Sequence, residues 1–226
     1  MYSISVFAKR KNLEFLYVCS HLGKKLKENP NGNFKFALEN GMKYFISEDR
    51  ENFARSLADE KTLFIKEGVA QKEAEFGFIK QAHFIEGYAA QKNITFDIFL
   101  PSGTGASATY LAKNTKFNVF TTPCVGDENY LKKQILELDK NSKVQILKPP
   151  QKYAFGEVKK ELYEIWNELL CETKIEFDLI YDPVGFLTLL LNLHKFKNPI
   201  LYIHQGGIIG NISQLERYKY KGIVNL

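Results

Sequence analysis

Cysteine, histidine and long apolar runs are all scarce in this chain of 226 residues. The 3 cysteines, Cys19, Cys124 and Cys171, are odd in number and lack metal-type spacing. This argues against a disulfide framework and a zinc site, and predicts reduced thiols in a cytoplasmic protein. The 4 histidines show no ligand spacing, so no catalytic metal is expected. No run of about 18 apolar residues occurs. Charge arrives at Lys9 after a short mixed segment, unlike a signal peptide. The expectation is a soluble intracellular chain with no membrane partner. An excess of one charge sign is also missing. The 31 Lys and Arg against 26 Asp and Glu leave a net charge of +5, dispersed in short clusters such as Lys9-Arg10-Lys11 and Lys24-Lys25, so no nucleic-acid partner is indicated.

What is present is globular. The hydrophobic share is 45% and the charged share 25%, and at roughly 150 residues per domain the length suits one large domain or two small ones. Strand-like and helix-like segments alternate from end to end, which predicts a three-layer α/β architecture with open, mostly parallel sheets in two lobes. The expected strands are Leu13 to Cys19, Met42 to Ser47, Thr62 to Lys66, Ile94 to Pro101, Lys116 to Thr121, Ser142 to Leu147, Phe177 to Tyr181 and Pro199 to His204. Several are continuous apolar runs, as when both faces of a sheet are covered. Helices are expected over Met1 to Lys11, Gln71 to Gln91, Thr109 to Asn114, from an N-cap at Asp127 through Leu138, and over Glu157 to Leu170. Pro149 and Pro150 mark a connector. The domain boundary is placed near Lys66, giving residues 1–66 and 67–226. The first helix starts at Met1 with no residue before it to cap its amides, so the reading allows either a frayed start or absent upstream sequence.

The most informative segment is Ile98-Phe99-Leu100-Pro101-Ser102-Gly103-Thr104-Gly105-Ala106-Ser107-Ala108. An apolar strand runs into a turn of small residues and then into a helix. Two glycines let backbone approach a ligand, the helix start offers unpaired amides and a positive dipole end, and the hydroxyls of Ser102, Thr104 and Ser107 add donors. Such a loop suits a phosphate, although a plain strand-to-helix connection reads the same way. Ala106-Ser107 stands where a nucleoside-triphosphate loop requires Lys and Ser or Thr. Gly103, Gly105 and Ala108 fit a dinucleotide spacing, but no acid ends the next strand.

Together with Tyr181-Asp182-Pro183, Tyr202-Ile203-His204-Gln205-Gly206-Gly207 and Glu67-Gly68, this loop resembles the pyridoxal-phosphate (PLP) enzymes of the tryptophan-synthase-β fold type (fold type II). Among them it is most similar to the 1-aminocyclopropane-1-carboxylate deaminase and D-cysteine desulfhydrase family. The resemblance implies an N-terminally incomplete member, with residues 1–66 a remnant of the smaller domain and 67–226 the larger, PLP-phosphate-binding one. It implies pyridoxal 5'-phosphate as cofactor, with Gly103, Thr104, Gly105, Ala106 and Ser107 cupping the phosphate, Asp182 near the ring nitrogen and His204 and Gly206 beside the cofactor. Tyr181 is implied as the catalytic phenol, which requires its surroundings to lower its pKa. The implied substrate is a small amino acid and the implied assembly a homodimer; a potassium-type ion rests on resemblance alone. Asp182 is one methylene shorter than the Glu of the deaminase pattern.

The Schiff-base lysine of such enzymes lies in a Gly-Asn-Lys segment well upstream of the helix that here begins at Met1, and no lysine of this chain has that context. Two accounts fit: a start codon a few tens of residues upstream, which the uncapped first helix favours, or a scaffold that has lost the lysine. The leading reading is a PLP-dependent lyase or deaminase-type protein acting on a small amino acid, without lyase activity in the chain as it stands; the alternative is a non-catalytic PLP- or phosphate-ligand-binding scaffold. Three cup hydrogen bonds amount to roughly 5 to 9 kcal/mol gross, against about 4 to 15 kcal/mol for association.

Overall fold

The computed structural model describes residues 1–224. They form two compact units, one of Met1–Lys66 with Ile209–Arg217 and one of Glu67–Ile208 with the chain from Tyr218 on. A single boundary near Lys66 puts 209–217 in the larger domain. The structure instead packs them with the first unit through side chains: Ser213 donates to Asn31 Oδ1 (2.6 Å) and Asn31 donates to Glu216 (2.5 Å).

The first unit contains α1 (Tyr2–Arg10), β1 (Phe15–Cys19), α2 (Lys24–Glu28), α3 (Gly32–Glu39), β2 (Met42–Ile46) and α4 (Arg50–Ser56). β1 and β2 pair in parallel with Phe15 opposite Met42. Leu22, Phe34, Ala37 and Met42 make its buried core, and Phe45 meets Phe53 of α4 with ring centroids 5.8 Å apart. The strand expected at Thr62 to Lys66 does not form. The Asp59 carboxylate accepts from the Lys61 N–H (3.0 Å) and the Thr62 hydroxyl (2.6 Å), and this local turn takes the backbone out of extension.

The second unit contains α5 (Glu75–Lys92), β3 (Asp97–Ser102), α6 (Ala106–Asn114), β4 (Asn118–Pro123), α7 (Glu128–Leu138), β5 (Gln145–Ile146), α8 (Lys160–Thr173), α9 (Asp182–Leu191) and β6 (Ile200–Tyr202). α10 (Gly210–Tyr220) closes the chain. The strand order is β5-β4-β3-β6 and every pairing is parallel. All of β3 is buried. Ile98 and Leu100 pack on Ala82, Ile85 and Ala89 of α5 and on Ala108 and Leu111 of α6, while Phe99 and Phe120 pack with Leu147 and Leu189 on the opposite face. Helix, sheet and helix form three layers, the reason β3 reads as an unbroken apolar run. Asp127 caps α7 by accepting from the Tyr130 N–H at 2.9 Å. Among the described residues no helix is long and apolar enough to cross a membrane.

Phe177 to Tyr181, expected as a strand, is irregular and ends in a turn. The Asp178 carboxylate accepts from the N–H groups of Ile180 (2.8 Å) and Tyr181 (2.6 Å), folding the chain into the start of α9. Its apolar character serves packing instead: Trp166 of α8 donates its indole N–H to the Phe177 carbonyl at 2.8 Å.

One fully buried charge ties the open end of the sheet together. Asp97 Oδ1 accepts from Asn118 (2.9 Å) and Asn198 (3.1 Å), and Oδ2 from the backbone N–H groups of Lys197 (2.7 Å) and Asn198 (3.0 Å). Burial works to raise its pKa, but these donors outweigh it and the pKa lies below the ordinary value. Stability from Asp97 is therefore complete above about pH 4, the unfolded carboxylate range, and is lost as pH falls through its depressed pKa. Asp97→Ala should cost about 2 to 4 kcal/mol in urea denaturation at neutral pH, since four buried donors lose their acceptor; the deficit should shrink in acid.

Candidate active site

The carboxyl end of β3 opens directly into the glycine loop. Gly105 has φ +76°, and a Cβ there would lie 2.7 Å from Ile135 and 3.0 Å from Leu131 of α7, so only glycine fits both the conformation and the space. α6 begins at the next residue with no side-chain cap. Among the described residues, the backbone N–H groups of residues 103 to 108 donate to no protein acceptor, whereas the next, Thr109, donates to the Gly105 carbonyl at 2.9 Å. Gly105, Ala106 and Ala108 are buried and Gly103, Thr104 and Ser107 half-buried. Buried amides seldom lack partners, and a run of them at a helix start is a receptor for an anion.

The hydroxyls divide. Ser107 lies on the first turn of α6. Ser102, expected as a donor to the ligand, is buried with its hydroxyl 2.7 Å from that of Thr121 on the neighbouring strand. Thr104 lies against Gly68, whose φ is +64° and where a Cβ would come within 2.6 Å of the threonine side chain, so a glycine at 68 lets that segment pack on the loop.

Tyr181 stands over the loop: a Cβ on Gly103 would be 3.2 Å from its hydroxyl. Phe155 holds the ring edge-on with centroids 5.5 Å apart. Burial first, then the nearby Cys124, Asp178 and Glu67, push the Tyr181 pKa up to about 12. The expected lowering is thus reversed. An undercharged, desolvated site with acids nearby favours the neutral phenol, which donates a hydrogen bond at neutral pH and does not act as a base.

Asp182 follows as the first residue of α9 and is fully enclosed. Its Oδ1 accepts from the Tyr202 hydroxyl (2.6 Å) and its Oδ2 from the Asp178 N–H (2.8 Å). Burial raises its pKa against the lowering effect of those donors. The Tyr202 ring stacks on Phe186 at 4.2 Å, and its hydroxyl would lie 2.9 Å from a Cβ on Gly185, so a glycine in α9 admits the phenol to the carboxylate. His204 is exposed at the end of β6. Its Nδ1 accepts from the Gly206 N–H (3.0 Å), which leaves Nε2 to donate to the Glu176 carbonyl (2.8 Å). Gly206 and Gly207 take φ of +75° and +87°.

Two residues that sequence reasoning passed over join these parts. Asp178 anchors the start of α9 with Oδ1, while Oδ2 faces Gly207, 3.2 Å from where a Cβ would sit. Gln205 donates to the Pro101 carbonyl (2.8 Å) at the end of β3. The available signal for Asp178 was an Asp two and three residues before the amides it caps. The structure therefore gathers Gly103 to Ser107, Tyr181, Asp182, His204 and Gly206 at the carboxyl ends of β3 and β6. Among the described residues no group of side chains is arranged to hold a metal ion. The donor set fits a phosphate monoester: unpaired amides, a helix start and a neutral phenol.

Neither a known family profile nor a curated protein matches the sequence. Solved structures do. An ACC deaminase homologue aligns over 99% of this chain and 74% of its own, with TM-score 0.74 and 20% identity. A fungal L-serine ammonia-lyase from Rhizomucor miehei aligns over 97% and 78%, with TM-score 0.59 and 12% identity. A hydrogen sulfide-producing enzyme from Fusobacterium nucleatum aligns over 88% and 71%, with TM-score 0.56 and 12% identity. The fold is that of the PLP enzymes of fold type II.

Burial raises the Asp178 pKa to about 6. Below pH 4 both folded and unfolded states hold this proton; between about pH 4 and 6 only the folded state does, so stability falls as pH rises and then levels off. Asp178→Asn, which keeps an acceptor for both amides, should flatten that slope in thermal melts, a difference of about 2 to 3 kcal/mol across the window.

Proposed function

We propose that this chain, built on the fold of the fold type II PLP enzymes, binds pyridoxal 5'-phosphate with the phosphate in the cup of Gly103, Thr104, Gly105, Ala106 and Ser107. The reaction class is deamination or elimination on a small amino acid, of the kind of 1-aminocyclopropane-1-carboxylate or D-cysteine, in the cytoplasm. The observation that carries the reading is the run of unpartnered amides from residue 103 to 108 at a positive helix end. A dianion accepts several such bonds together, each worth about 1.5 to 3 kcal/mol when charge is involved.

When bound, the cofactor supplies an electron sink for charge developing next to the amino group. The chain's own groups do the rest. Gly105 holds the loop tight against α7 so that the amides converge. Tyr181, neutral because its pKa is raised, donates toward the ligand over Gly103 and can deliver its proton only to a strong base. Asp182, whose oxygens already accept from the Tyr202 hydroxyl and the Asp178 N–H, would act on the bound cofactor only through the Tyr202 hydroxyl it polarises. The turn at His204 to Gly207 is kept open by two left-handed glycines.

A second reading, a PLP- or phosphate-ligand-binding scaffold without turnover, is favoured by one fact: none of the residues gathered at the cup is a lysine. Both readings predict non-covalent binding by the 226-residue chain. Titration followed by cofactor fluorescence should show PLP bound at least about 100-fold more tightly than pyridoxal, the equivalent of about 3 kcal/mol from the phosphate. Inorganic phosphate should compete, and borohydride should fix no cofactor to the chain. Ser107→Glu sets a like charge in the cup at a half-exposed position; it should abolish PLP binding and leave the melting temperature unchanged. Equal affinity for PLP and pyridoxal, or intact binding in that variant, would sink the proposal. Release of ammonia from the amino acid by this chain would decide against the scaffold.

A further inference from the structure

Phe155 sits at the tip of a short turn that is tied down at both ends. The Ala154 N–H donates to Glu157 Oε2 (2.9 Å), and the Glu157 N–H donates back to the Ala154 carbonyl (2.9 Å). Gly156, between them, takes φ +64°. On one side of the turn Tyr153 is buried with Cys124, Leu162 and Val184, and the Lys159 ammonium lies 5.1 Å over its ring. On the other side Val158 is buried. A turn fixed in this way presents its tip in one place, and that tip is a phenylalanine 54% exposed to solvent.

Single exposed apolar residues are ordinary. This one is set apart by what it leans on. Its ring meets Tyr181 edge-on at 5.5 Å, and the Tyr181 hydroxyl lies 3.2 Å from where a Cβ on Gly103 would sit. Gly103, Tyr181 and Phe155 thus form one wall that runs outward from the anion cup. The wall changes character along its length, from backbone amides to a phenol hydroxyl to a hydrocarbon ring. Besides the buried Cys124, the charged groups that act on the phenol are Asp178 and Glu67, both acids.

We propose that Phe155 is a specificity-determining residue, and that the amino acid taken carries an uncharged apolar group beyond its β-carbon, an alkyl or S-alkyl chain. The inference rests on the proposed function, with a phosphate in the cup, and adds the substrate's side chain to it. A ligand anchored by its phosphate and long enough to pass Tyr181 lays its far end on the Phe155 ring. More than half of Phe155 is otherwise in water, so each methylene that covers the ring raises affinity by up to about fourfold. A side chain ending in a carboxylate gains nothing there, because it meets a hydrocarbon ring and the repulsion of Asp178 and Glu67.

Phosphopyridoxyl amino acids, the reduced adducts of PLP with an amino acid, test this without a Schiff-base lysine and without turnover. The full 226-residue chain is titrated with the adducts of glycine, alanine, norvaline and aspartate, the last three in both enantiomers. The norvaline adduct should bind at least about tenfold more tightly than the glycine adduct in one enantiomeric series, with alanine between them and aspartate no tighter than glycine. Phe155→Ala should bring the norvaline-to-glycine ratio below about threefold, and Phe155→Leu, which restores an apolar wall, should recover most of it. The ratio is taken within each variant, so a general change in phosphate binding cancels. Equal binding of the glycine and norvaline adducts in both series overturns the proposal. So does an aspartate adduct tighter than norvaline, or a ratio that survives Phe155→Ala. Any of these with PLP itself still bound leaves the proposed function standing, whereas failure of PLP and every adduct to bind overturns both.

Discussion

The arrangement depends on how β3 ends. A parallel strand buried on both faces has no polar side chain to spare, and it must hand its last residues to a helix on one side of the sheet. Gly105, with its left-handed backbone against Ile135 and Leu131, makes that turn within three residues. The turn is too tight for the loop amides to find carbonyls, and α6 starts without a cap. A concentrated, partly buried set of donors is the outcome, and an anion is its natural complement.

The second constraint is the treatment of negative charge around that cup. Asp178 and Asp182 are both enclosed: Asp178 Oδ1 accepts from the Ile180 and Tyr181 amides while its Oδ2 faces Gly207, and Asp182 accepts from the Asp178 amide and the Tyr202 hydroxyl. Burial of the phenols themselves first, and the nearby carboxylates after it, keep Tyr181 and Tyr202 protonated. The same two carboxylates thus organise the start of α9 and preserve hydrogen-bond donors at the mouth of the cup. Asp97, at the other end of β3, performs the purely structural version of this work, with four donors on one carboxylate.

Much of this was legible in one dimension. The apolar run through Leu100 into Gly103 and Gly105 located the central strand and its loop, because a doubly covered strand and a left-handed turn each demand particular residue types. Asp127 was legible as a cap for the same reason. Phe177 to Tyr181 misled: its apolar residues suit a strand, but the Asp178 side chain offers the backbone a competing set of hydrogen bonds, and whether that competition succeeds depends on burial. Thr62 to Lys66 failed likewise, through Asp59. The raised pKa of Tyr181 was hidden, since desolvation is a property of the neighbours and leaves no mark on the tyrosine itself.

The amino-acid sequence by itself determined the layered α/β class and the place of the glycine loop after β3, because hydrophobic period and glycine are local quantities. Tertiary structure alone decided that residues 209–217 return to the first unit, that Ser102 turns to Thr121, that Asp182 is saturated by Tyr202, and that Phe155 leans on Tyr181. Each of those depends on which distant groups arrive within hydrogen-bond or van der Waals range, and that is settled only when the chain has closed on itself.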